Sequence, residues 1–581
     1  MGWGVLRRTP RRPGRLLALV VVVALGAYAL RVALWRPLEV MGEPPRDGYT
    51  RVAGVVHVHT SLSDGGGTPE EVIGAAQRAG LGFVVLTDHN NLDAKSFEGY
   101  HGSLLVLVGT ELSTTAGHLL GLGIPDPVFR FDGDGRDGFE DIRDLGGFAF
   151  AAHPLSPRDE LRFSGWDLPG SWGLELLNGD SEWRRAGARN LLTGALYGLN
   201  HDYALLGGLN PPDELLARWD QLLARRDAVG IAGADAHSRL PITRRWAVRF
   251  PSYESLFSLA RNHVLLDAPL TRDPARDAAA VLAALRRGRS YVGLDALAPA
   301  GGFSFTVEGP SGRWSMGDSV IAAPGLVARA GGRVPRGTRI LLLRDGRRLR
   351  EATESLEEPL PGPGVYRVEA HVPGWPVPWI LTNPVAVFDE ATLRARSQAA
   401  AWPADPRPPS PAIVLDSFDG ATTVFQPGHD ASSTMDETIL DPKGGVGGSG
   451  AARIAFRLAQ EARGKPPVFC AIVNREARDF SGRRGLVFSI RGDGVYRVWV
   501  QVRDENPASA DEGTEWWFAS VRTAPEWKVV ALPFARFRSI NPRTDGRLDL
   551  DKVRALVFVL DRGVDKPGTE GTIWIDDVGV Y

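Results

Sequence analysis

The stretch TRVAGVVHVHTSLSD, residues 50–64, joins a short apolar run to two histidines and an aspartate. Residues 52–58 have the composition of a strand buried on both faces. The run ends in His57, Val58 and His59, and side chains alternate along a strand, so both imidazoles are predicted on one side. The stretch therefore predicts a strand that presents metal-ligand side chains at its carboxyl end.

The same arrangement recurs farther along the chain. Apolar runs that predict buried strands lie at residues 83–86, 104–108, 148–152 and 229–232. The ligand-type residues that follow them are His89, Glu111, His118, His153, Asp235 and His237. A parallel α/β barrel gathers the carboxyl ends of its strands around one mouth, so residues about 180 apart in sequence can converge there. We therefore predict a metal site at the mouth of a parallel α/β barrel.

Histidine is scarce, with 11 in the whole chain, and six of them occupy these positions. Asp64, Glu111 and Asp235 bring the candidate ligands to nine. His101, His201 and His263 lack this placement and are interpreted as ordinary core or surface histidines. Six of the 11 histidines at the same kind of position are unlike a random distribution along the chain, and this pattern favours a bound metal.

Composition limits the other functions. A length of 581 residues predicts about three to five folding units. Lys and Arg total 67, against 69 Asp and Glu. The chain therefore has no net positive charge, which argues against nucleic-acid binding through the charge of the whole chain. Cys470 is the one cysteine, which excludes an intramolecular disulfide and a cysteine-based zinc site. Any bound metal must therefore be held by His, Asp and Glu, ligands that suit zinc, manganese or iron.

The N-terminal segment resembles a membrane anchor. Residues 1–15 contain five arginines, and residues 16–35 are apolar except for Arg31. A helix of 20 residues spans about 30 Å, one bilayer core. We therefore predict a basic cytoplasmic tail, a single-pass helix and an extracytoplasmic remainder. The alternative is a secreted protein whose signal peptide is cleaved after Ala27-Tyr28-Ala29.

The remainder of the chain predicts β structure. Alternating patterns indicate a small β-sandwich at residues 300–390 and a larger one of jelly-roll type at 413–581, joined by a Pro-rich linker at 391–412. Trp516 and Trp517 are candidate glycan contacts, although one of the two indoles is expected to face the core. Asp416 and Asp577 are candidate ligands of a structural calcium ion.

Residues 50–298 resemble the PHP (polymerase and histidinol phosphatase) domain family. The motifs that carry the resemblance are HVHT at 57–60, SDG at 63–65, TDHN at 87–90, Glu111 with GH at 117–118, AHP at 152–154 and GADAH at 233–237. All of them occur in the order of the family. The resemblance implies a distorted (β/α)7 barrel that binds up to three metals at the carboxyl ends of its strands.

The resemblance also implies a ligand set for each metal. His57, His59, Glu111 and Asp235 would hold the first metal. Glu111 would bridge to a second metal held also by His118 and His153. Asp64, His89 and His237 would hold the third. An amidohydrolase usually bridges its metals with a carboxylated lysine, but no lysine lies between Lys95 and Lys443, so Glu111 is favoured as the bridge.

The implied activity is hydrolysis of a phosphate mono- or diester by a metal-bound hydroxide. The predicted catalytic residues are Glu111, Asp235, His237 and Asp88, and the candidate phosphate contacts are Lys95, Arg158 and Arg184. Expected substrates are a phosphorylated small molecule or an envelope polymer. The alternatives are a 5'-3' exonuclease on short nucleic acid and a non-catalytic glycan-binding protein with structural metals.

The C-terminal region is similar to CIA30-type domains and to some carbohydrate-binding modules. The segments that carry this likeness are FSG at 480–482, RGDG at 491–494 and IWIDD at 573–577. The resemblance implies a jelly roll and leaves the ligand of that domain open.

Overall fold

The computed structural model describes residues 13–187, 189–243, 246–399, 401–403, 407–460, 468–509, 513–539, 541 and 543–581. The chain divides into two compact units. The first consists of Met1–Ile124 and Gly133–Pro403, and the second of Pro125–Asp132 and Ala404–Tyr581. The protein is therefore multidomain, as predicted.

In its described residues, the first unit begins with nine α-helices and fourteen strands. The helices are α1 (Pro13–Ala33), α2 (Pro69–Arg78), α3 (Gly135–Asp144), α4 (Gly179–Ala186), α5 (Arg189–Tyr197), α6 (His201–Gly208), α7 (Asp213–Leu223), α8 (Tyr253–Leu259) and α9 (Pro274–Arg287). The strands are β1 (Val40–Met41), β2 (Thr50–Val58), β3 (Phe83–Leu86), β4 (Gly99–His101), β5 (Leu104–Val108), β6 (Thr110–Thr114), β7 (Gly117–Leu122), β8 (Phe148–Ala151), β9 (Gly173–Asn178), β10 (Gly230–Ala236), β11 (Leu240–Pro241), β12 (Ala247–Val248), β13 (Arg261–Leu266) and β14 (Ser290–Gly293).

Strands β2–β10, β13 and β14 belong to a closed barrel, whereas β1, β11 and β12 lie outside it. Strand β2 pairs in parallel with β3 on one side and with β10 on the other, and β3 pairs in parallel with β5. Strands β8, β9 and β10 are also parallel. Strand β7 runs antiparallel to both β6 and β8, which departs from an all-parallel barrel. The strands are rich in Val, Leu and Phe because both of their faces are buried.

An apolar core fills the interior of the barrel. Buried side chains from successive strands, including Val56, Phe83, Leu105 and Ile231, form one core cluster. Helix α2 covers the outside, and its start has the chemistry expected of Thr68 and Glu71: the Thr68 hydroxyl accepts from the Glu71 N–H, and the Glu71 carboxylate accepts from the Thr68 N–H. The carboxyl ends of the parallel strands consequently share one mouth.

The N-terminal helix corrects the predicted topology. Helix α1 (Pro13–Ala33) has 21 residues, and Arg31 lies in its last turn. Within the described part of the chain, no helix has the length and apolar character that crossing a membrane requires. The predicted anchor at residues 16–35 and the single-pass localisation are therefore wrong. The basic tail lies largely at residues 1–12, outside the described residues.

Residues 303–388 form two larger sheets, and one further strand of this segment pairs with β1. Their strands are β15 (Phe303–Gly309), β16 (Gly312–Ser315), β17 (Ser319–Ile321), β18 (Val327–Gly332), β19 (Val334–Pro335), β20 (Arg339–Arg344), β21 (Arg347–Thr353), β22 (Leu356–Pro359), β23 (Gly364–His371), β24 (Ile380–Thr382) and β25 (Val385–Phe388). Strands β16, β15, β18 and β22 make a four-stranded sheet. Strand β24 pairs with β14, so the second sheet continues the sheet of the barrel instead of standing apart as a separate sandwich.

The linker predicted at residues 391–412 begins as a helix and not as an irregular spacer. Helix α10 spans Glu390–Ala399. The carboxylate of Asp389 accepts from the Thr392 N–H and so caps the first turn. Arg396 is buried, and its guanidinium donates to the Asp227 carboxylate at 2.8 Å. The capping aspartate and the anchored arginine account for a helix where proline content alone indicates a spacer.

The second unit is a β-sandwich. Its strands are β26 (Ile413–Asp416), β27 (Gln426–His429), β28 (Thr434–Met435), β29 (Leu440–Asp441), β30 (Ala451–Arg457), β31 (Phe469–Asn474), β32 (Gly485–Gly492), β33 (Arg497–Glu505), β34 (Thr514–Arg522), β35 (Lys528–Pro533), β36 (Arg538–Ser539), β37 (Val553–Asp561) and β38 (Glu570–Val580). They form a seven-stranded and a six-stranded sheet around one apolar core. Residues 125–132 join this unit: the Arg130 N–H donates to Val564, and the Lys566 N–H donates to Val128.

Candidate metal centre

Strand β2 delivers two fully buried histidines to the mouth of the barrel. His57 has a left-handed backbone with φ of 69°, and the register of β2 against β3 shifts between Val55 and Val58. This irregularity, and not simple alternation, sets the side-chain directions near the strand end. The rings of His57 and His59 lie 5.1 Å apart with no solvent exposure. The two imidazoles meet at the site through a distorted strand end.

Two further ligand-type residues also have left-handed backbones. The φ angle is 30° at His153 and 48° at Asp235, and the register of β10 against β2 shifts between Gly233 and Ala236. Such conformations cost on the order of 1–3 kcal/mol each for residues with a side chain, and they concentrate at functional sites. Strain at three strand ends around one mouth marks that mouth as the functional region of the barrel.

Glu111 is the centre of the cluster and is 1% exposed. One carboxylate oxygen, Oε1, lies 2.8 Å from His118 Nδ1 and 2.9 Å from His153 Nε2. The other, Oε2, lies 3.1 to 3.2 Å from ring nitrogens of His57, His59 and His89. Five imidazoles therefore surround one carboxylate, an arrangement suited to an anion that is shared between cations.

Three groups of side chains have ligand atoms close enough to hold a metal ion, within 4.8 Å of one another. The groups are His57 with His59, Glu111 and Asp235; His59 with Asp64, His89 and His237; and His89 with Glu111 and His118. The first is the set implied for the first metal. In the other two, His59 and His89 are shared between neighbouring groups, whereas His153 contacts Glu111 from outside the third group.

Many polar atoms of the cluster are buried without a hydrogen bond. Those atoms are His57 Nε2, both ring nitrogens of His59, Asp64 Oδ1, His89 Nδ1, Glu111 Oε2 and His153 Nδ1. A buried polar atom without a hydrogen bond is costly, and apart from His153 Nδ1 these atoms belong to side chains of the three ligand groups. Imidazole nitrogen and carboxylate oxygen are ligands that zinc, manganese and iron accept. The residues present therefore fit divalent metal ions.

The electrostatics keep the carboxylates ionised. Burial alone opposes ionisation, but His57 and its neighbouring imidazoles hold the pKa of both Glu111 and Asp235 well below the ordinary values. Burial likewise opposes ionisation of Asp64, and His237 nevertheless lowers the pKa of that carboxyl to about 2. The carboxylates are thus ready to bind cations across the physiological pH range.

Glu175 supports the cluster from behind. It has no solvent exposure, and its Oε1 lies 2.6 Å from His57 Nδ1. Its Oε2 accepts from the His153 N–H and from the Asn178 amide. A carboxylate on the far ring nitrogen fixes the tautomer and orientation of a metal-binding histidine. Glu175 therefore leaves His57 Nε2 with its lone pair facing the mouth.

Asp88 lies at the same mouth but points away from the ligands. It is 2% exposed, and its oxygens accept from the Thr60 N–H and hydroxyl and from the Ser63 hydroxyl. These bonds hold the loop that presents Asp64. The oxygens of Asp88, a predicted catalytic residue, are thus hydrogen-bonded to that loop, and Asp88 belongs to none of the three groups of potential metal ligands described here.

The predicted phosphate contacts fall in different places. Lys95 pairs with Glu98 at 2.7 Å. Arg184 pairs with Asp180, and Arg158 lies 3.9 Å from the same carboxylate. Arg184 also lines a cavity that reaches Asp235 and His237. Of the three, Arg184 is therefore the one placed beside the ligands.

Arg239 lines the same cavity and escaped the sequence analysis. Its guanidinium donates to the Asp64 carbonyl at 3.3 Å. Its position two residues after His237 is the signal that identifies it in the sequence, since a residue just beyond a ligand-bearing strand end faces the same mouth.

The next residues are the predicted glycan contacts and the predicted calcium ligands of the second unit. Trp517 is 7% exposed and donates to Asp504, so it belongs to the core. Trp516 is partly exposed, with the Arg503 guanidinium 3.7 Å from its ring. The Asp416 oxygens accept from the Phe418 and Val424 N–H groups and the Thr423 hydroxyl. Neither Asp416 nor Asp577 belongs to a potential metal-binding group among the described residues.

Comparisons with known proteins give these similarities. No protein-family model matches the chain. An uncharacterized protein of Methanocaldococcus jannaschii is 29% identical over 117 residues, covering 18% of this chain and 67% of that protein. A two-domain Bacteroides vulgatus protein containing a predicted PHP-like metal-dependent phosphoesterase aligns with a TM-score of 0.30 and 17% identity, over 60% of this chain and 99% of that one. A family 11 carbohydrate-binding module from Clostridium thermocellum aligns with a TM-score of 0.24 and 17% identity, over 29% of this chain and 93% of the module.

Proposed function

We propose that the barrel is a metal-dependent phosphoesterase of the PHP type that hydrolyses a phosphate mono- or diester. The observation that supports this most directly is the convergence of unpartnered buried ligand atoms on Glu111 Oε2. Overlapping groups around a shared carboxylate suit neighbouring cations, which is the arrangement used for in-line displacement at phosphorus.

The groups around Glu111, Asp64 and Asp235 would hold two to three divalent ions. Bound there, such ions supply Lewis-acid polarisation of the phosphoryl oxygens and activate a water for attack. The ions in question are zinc, manganese or iron, which share this preference for imidazole and carboxylate.

The protein's own residues orient the reaction. Glu175 holds His57 in one tautomer, and Asp88 holds the loop that presents Asp64. The side chains of His237 and Asp64 are 25% and 48% exposed, so this pair forms the solvent-facing edge where a substrate enters. Arg184 and Arg239 place positive charge beside that edge, where they attract the phosphate and neutralise its oxygens.

The exonuclease alternative has less support. The net charge of −2 provides no excess of positive charge for a nucleic-acid backbone. The described pocket beside the ligands has two arginines, enough for one phosphate group. We therefore favour a small phosphorylated molecule as the substrate.

The test uses the purified full chain. Bound metal is counted by plasma mass spectrometry, and hydrolysis of p-nitrophenyl phosphate and bis-p-nitrophenyl phosphate is followed. We expect two to three metals per chain and a loss of at least about 100-fold in kcat/KM for His59→Ala and Asp235→Ala. The control is His101→Ala, which removes a histidine that contacts the Phe97 carbonyl outside the cluster. Full metal occupancy with no hydrolysis of either ester contradicts the proposal.

A second proposal concerns the C-terminal unit, for which we propose glycan binding. Trp499, Trp516 and Phe518 are partly exposed aromatic residues on β33 and β34, and they alternate with core positions such as Val500 and Trp517. Exposed aromatic rings on a sheet face are suitable for stacking against sugar rings. Affinity electrophoresis in soluble β-glucan gels, comparing the wild-type protein with Trp499→Ala and Trp516→Ala, tests this. Unretarded migration of the wild-type protein through glucan, xylan and chitosan gels contradicts it.

A further inference from the structure

A cavity of about 220 Å³ opens beside the metal-ligand cluster and is not used by the ligands themselves. Asp235 and His237 form one end of it. The remainder is enclosed by residues of α4, α6 and α8 and by the segment around Pro251. A substrate whose phosphate binds at the cluster has this cavity as its nearest enclosed volume.

The wall of the cavity away from the ligands is apolar. The side chains that make it so are Trp183, Leu205, Leu209, Phe250, Leu256 and Leu259. The Trp183 and Phe250 rings meet edge to face with centroids 5.7 Å apart. For comparison, an apolar protein cavity of about 150 Å³ is enough to bind benzene. The cavity therefore has both the size and the surface to hold a small hydrocarbon group.

The charged residues of the cavity are either at its ligand end or already paired. Arg239 contacts the Asp64 backbone, which places it at the cluster. Arg184 pairs with Asp180. The Glu182 carboxylate accepts from the Asn210 N–H and amide and from Arg185, so its oxygens already have protein donors. The polar groups thus serve the phosphate end, and the opposite wall offers a substrate few hydrogen-bond partners.

Resting on the proposed phosphoesterase function, we infer that the alcohol part of the substrate is apolar. The substrate is then a phosphate ester of an alkyl or aryl alcohol, with the phosphate at the cluster and the hydrocarbon against Leu205, Leu209 and Leu256. A sugar or glycerol group in this place would leave its hydroxyl groups without partners, which opposes binding. Each methylene group transferred from water into such a wall is worth about a fourfold gain in binding.

Two adjacent glycines at the end of α6 provide a matched pair of variants. A Cβ at Gly208, which lines the cavity, would have one neighbour within 4 Å, Thr193 Oγ1 at 3.9 Å. A Cβ at Gly207 would have none, and Gly207 is exposed and does not line the cavity. Gly208→Leu therefore fills the cavity, whereas Gly207→Leu makes the same substitution toward solvent.

The experiment measures kcat/KM of the metal-loaded full chain for ethyl, butyl and hexyl phosphate and for glycerol 1-phosphate. We expect a rise of about fourfold per methylene between ethyl and butyl phosphate and a low value for glycerol 1-phosphate. Gly208→Leu should remove the dependence on chain length, and Gly207→Leu should retain it. Equal hydrolysis of all four esters would overturn the inference and leave the phosphoesterase proposal standing.

A binding measurement separates the two proposals. Calorimetric titration with ethylphosphonate and hexylphosphonate, which cannot be hydrolysed, reports on the cavity even where no ester is turned over. Tighter binding of hexylphosphonate that is lost in Gly208→Leu supports an apolar cavity ligand without any turnover. Equal binding of both phosphonates to the wild-type protein contradicts the inference directly.

Discussion

At the residue scale, the properties of the centre follow from Glu111. A carboxylate with 1% exposure is stable only where positive charge or donors surround it, and five imidazoles do so here. Protons on those imidazoles and bound metal ions are competing ways to satisfy the same charge. Metal binding is therefore expected to release protons from the cluster.

Glu175→Gln tests the support of His57. The amide cannot hold the imidazole as the carboxylate does at 2.6 Å, so His57 loses its fixed tautomer. We expect metal affinity to fall about 10- to 100-fold, measured by competition with a chromophoric chelator. Glu98→Gln, which alters a carboxylate paired with Lys95 outside the cluster, serves as the control. Unchanged affinity in Glu175→Gln would mean that His57 is held by the strand alone.

Gly233→Ala tests the packing behind the same histidine. A Cβ at Gly233 would lie 1.6 Å from Glu175 Oε1, so the added methyl must displace the carboxylate. We expect a loss of stability of about 1–3 kcal/mol together with weaker metal binding, measured by chemical denaturation and metal content. Gly194→Ala in helix α5, where a Cβ has no neighbour within 4 Å, should retain metal binding and lose no stability, since Ala favours a helix over Gly. A fully stable, fully metallated Gly233→Ala protein would contradict this packing argument.

At the element scale, the ligands depend on how strands end. His57, His153 and Asp235 all adopt left-handed backbone conformations at or just after the ends of strands. The surrounding barrel imposes these angles, because an isolated segment would relax to an ordinary strand or turn. The loop after β2 is held by hydrogen bonds. The Asp88 carboxylate accepts from the Thr60 N–H and from the Ser63 hydroxyl.

The turn after β37 contains Asp565, a buried aspartate that makes the stability of the folded state depend on pH. Burial raises the pKa of Asp565 to about 8, and its Oδ1 accepts from the Arg497 N–H. The folded state therefore keeps a proton that the unfolded chain, with an ordinary aspartate pKa near 4, has released. The contribution of Asp565 to stability is full below about pH 4 and declines as the pH rises to about 8.

Asp565→Asn is expected to remove that decline, because the amide has no proton to lose. Native-state hydrogen exchange of the peptide 553–561 at pH 5, 6.5 and 8, corrected for the intrinsic exchange rate, compares the variant with the wild-type chain. Protection in the wild type should fall relative to the variant as the pH rises. Asp551→Asn, at an exposed position before the strand, is the control. Parallel pH profiles for Asp565→Asn and wild type would show that this carboxyl does not titrate in the range.

At the scale of the whole molecule, the two units differ in one source of stability. Each unit has an apolar core, and among the described residues the metal-ligand cluster belongs to the first unit. A ligand that binds only the folded state stabilises it by RT ln(1 + [L]/Kd), about 2.7 kcal/mol at 100 times Kd. Metal is therefore expected to stabilise the first unit selectively.

Removal of metal tests this expectation on the full chain. Dialysis against a chelator should lower the melting temperature of the transition that includes β2 and β10. Hydrogen exchange in those strands should increase, while exchange in β33 and β37 stays the same. Restoring zinc or manganese should reverse the change, and calcium should not. Equal destabilisation of the strands of both units would contradict a cluster-specific effect.

Much of the site could be predicted from the sequence because ligand types follow apolar runs at 52–58, 83–86 and 229–232. The backbone irregularities could not, since left-handed angles at His57 and Asp235 arise from pairing with neighbouring strands. Arg239 was missed although it lies two residues after His237, since its contact with the Asp64 carbonyl joins residues 175 apart in the chain. The membrane prediction rested on apolar composition alone, and no helix in the described part of the chain combines the length and apolar character that a membrane span requires.

The sequence by itself determined the local chemistry of this protein: which side chains can bind metal, which runs form strands, and that cysteine takes no part. Only the tertiary structure decided that Glu111 sits among five histidines, that Asp88 serves a loop, and that an apolar cavity lies beside Asp235. The reason is physical. Strand and ligand character are properties of short segments, whereas convergence and enclosure depend on contacts between residues far apart in the chain.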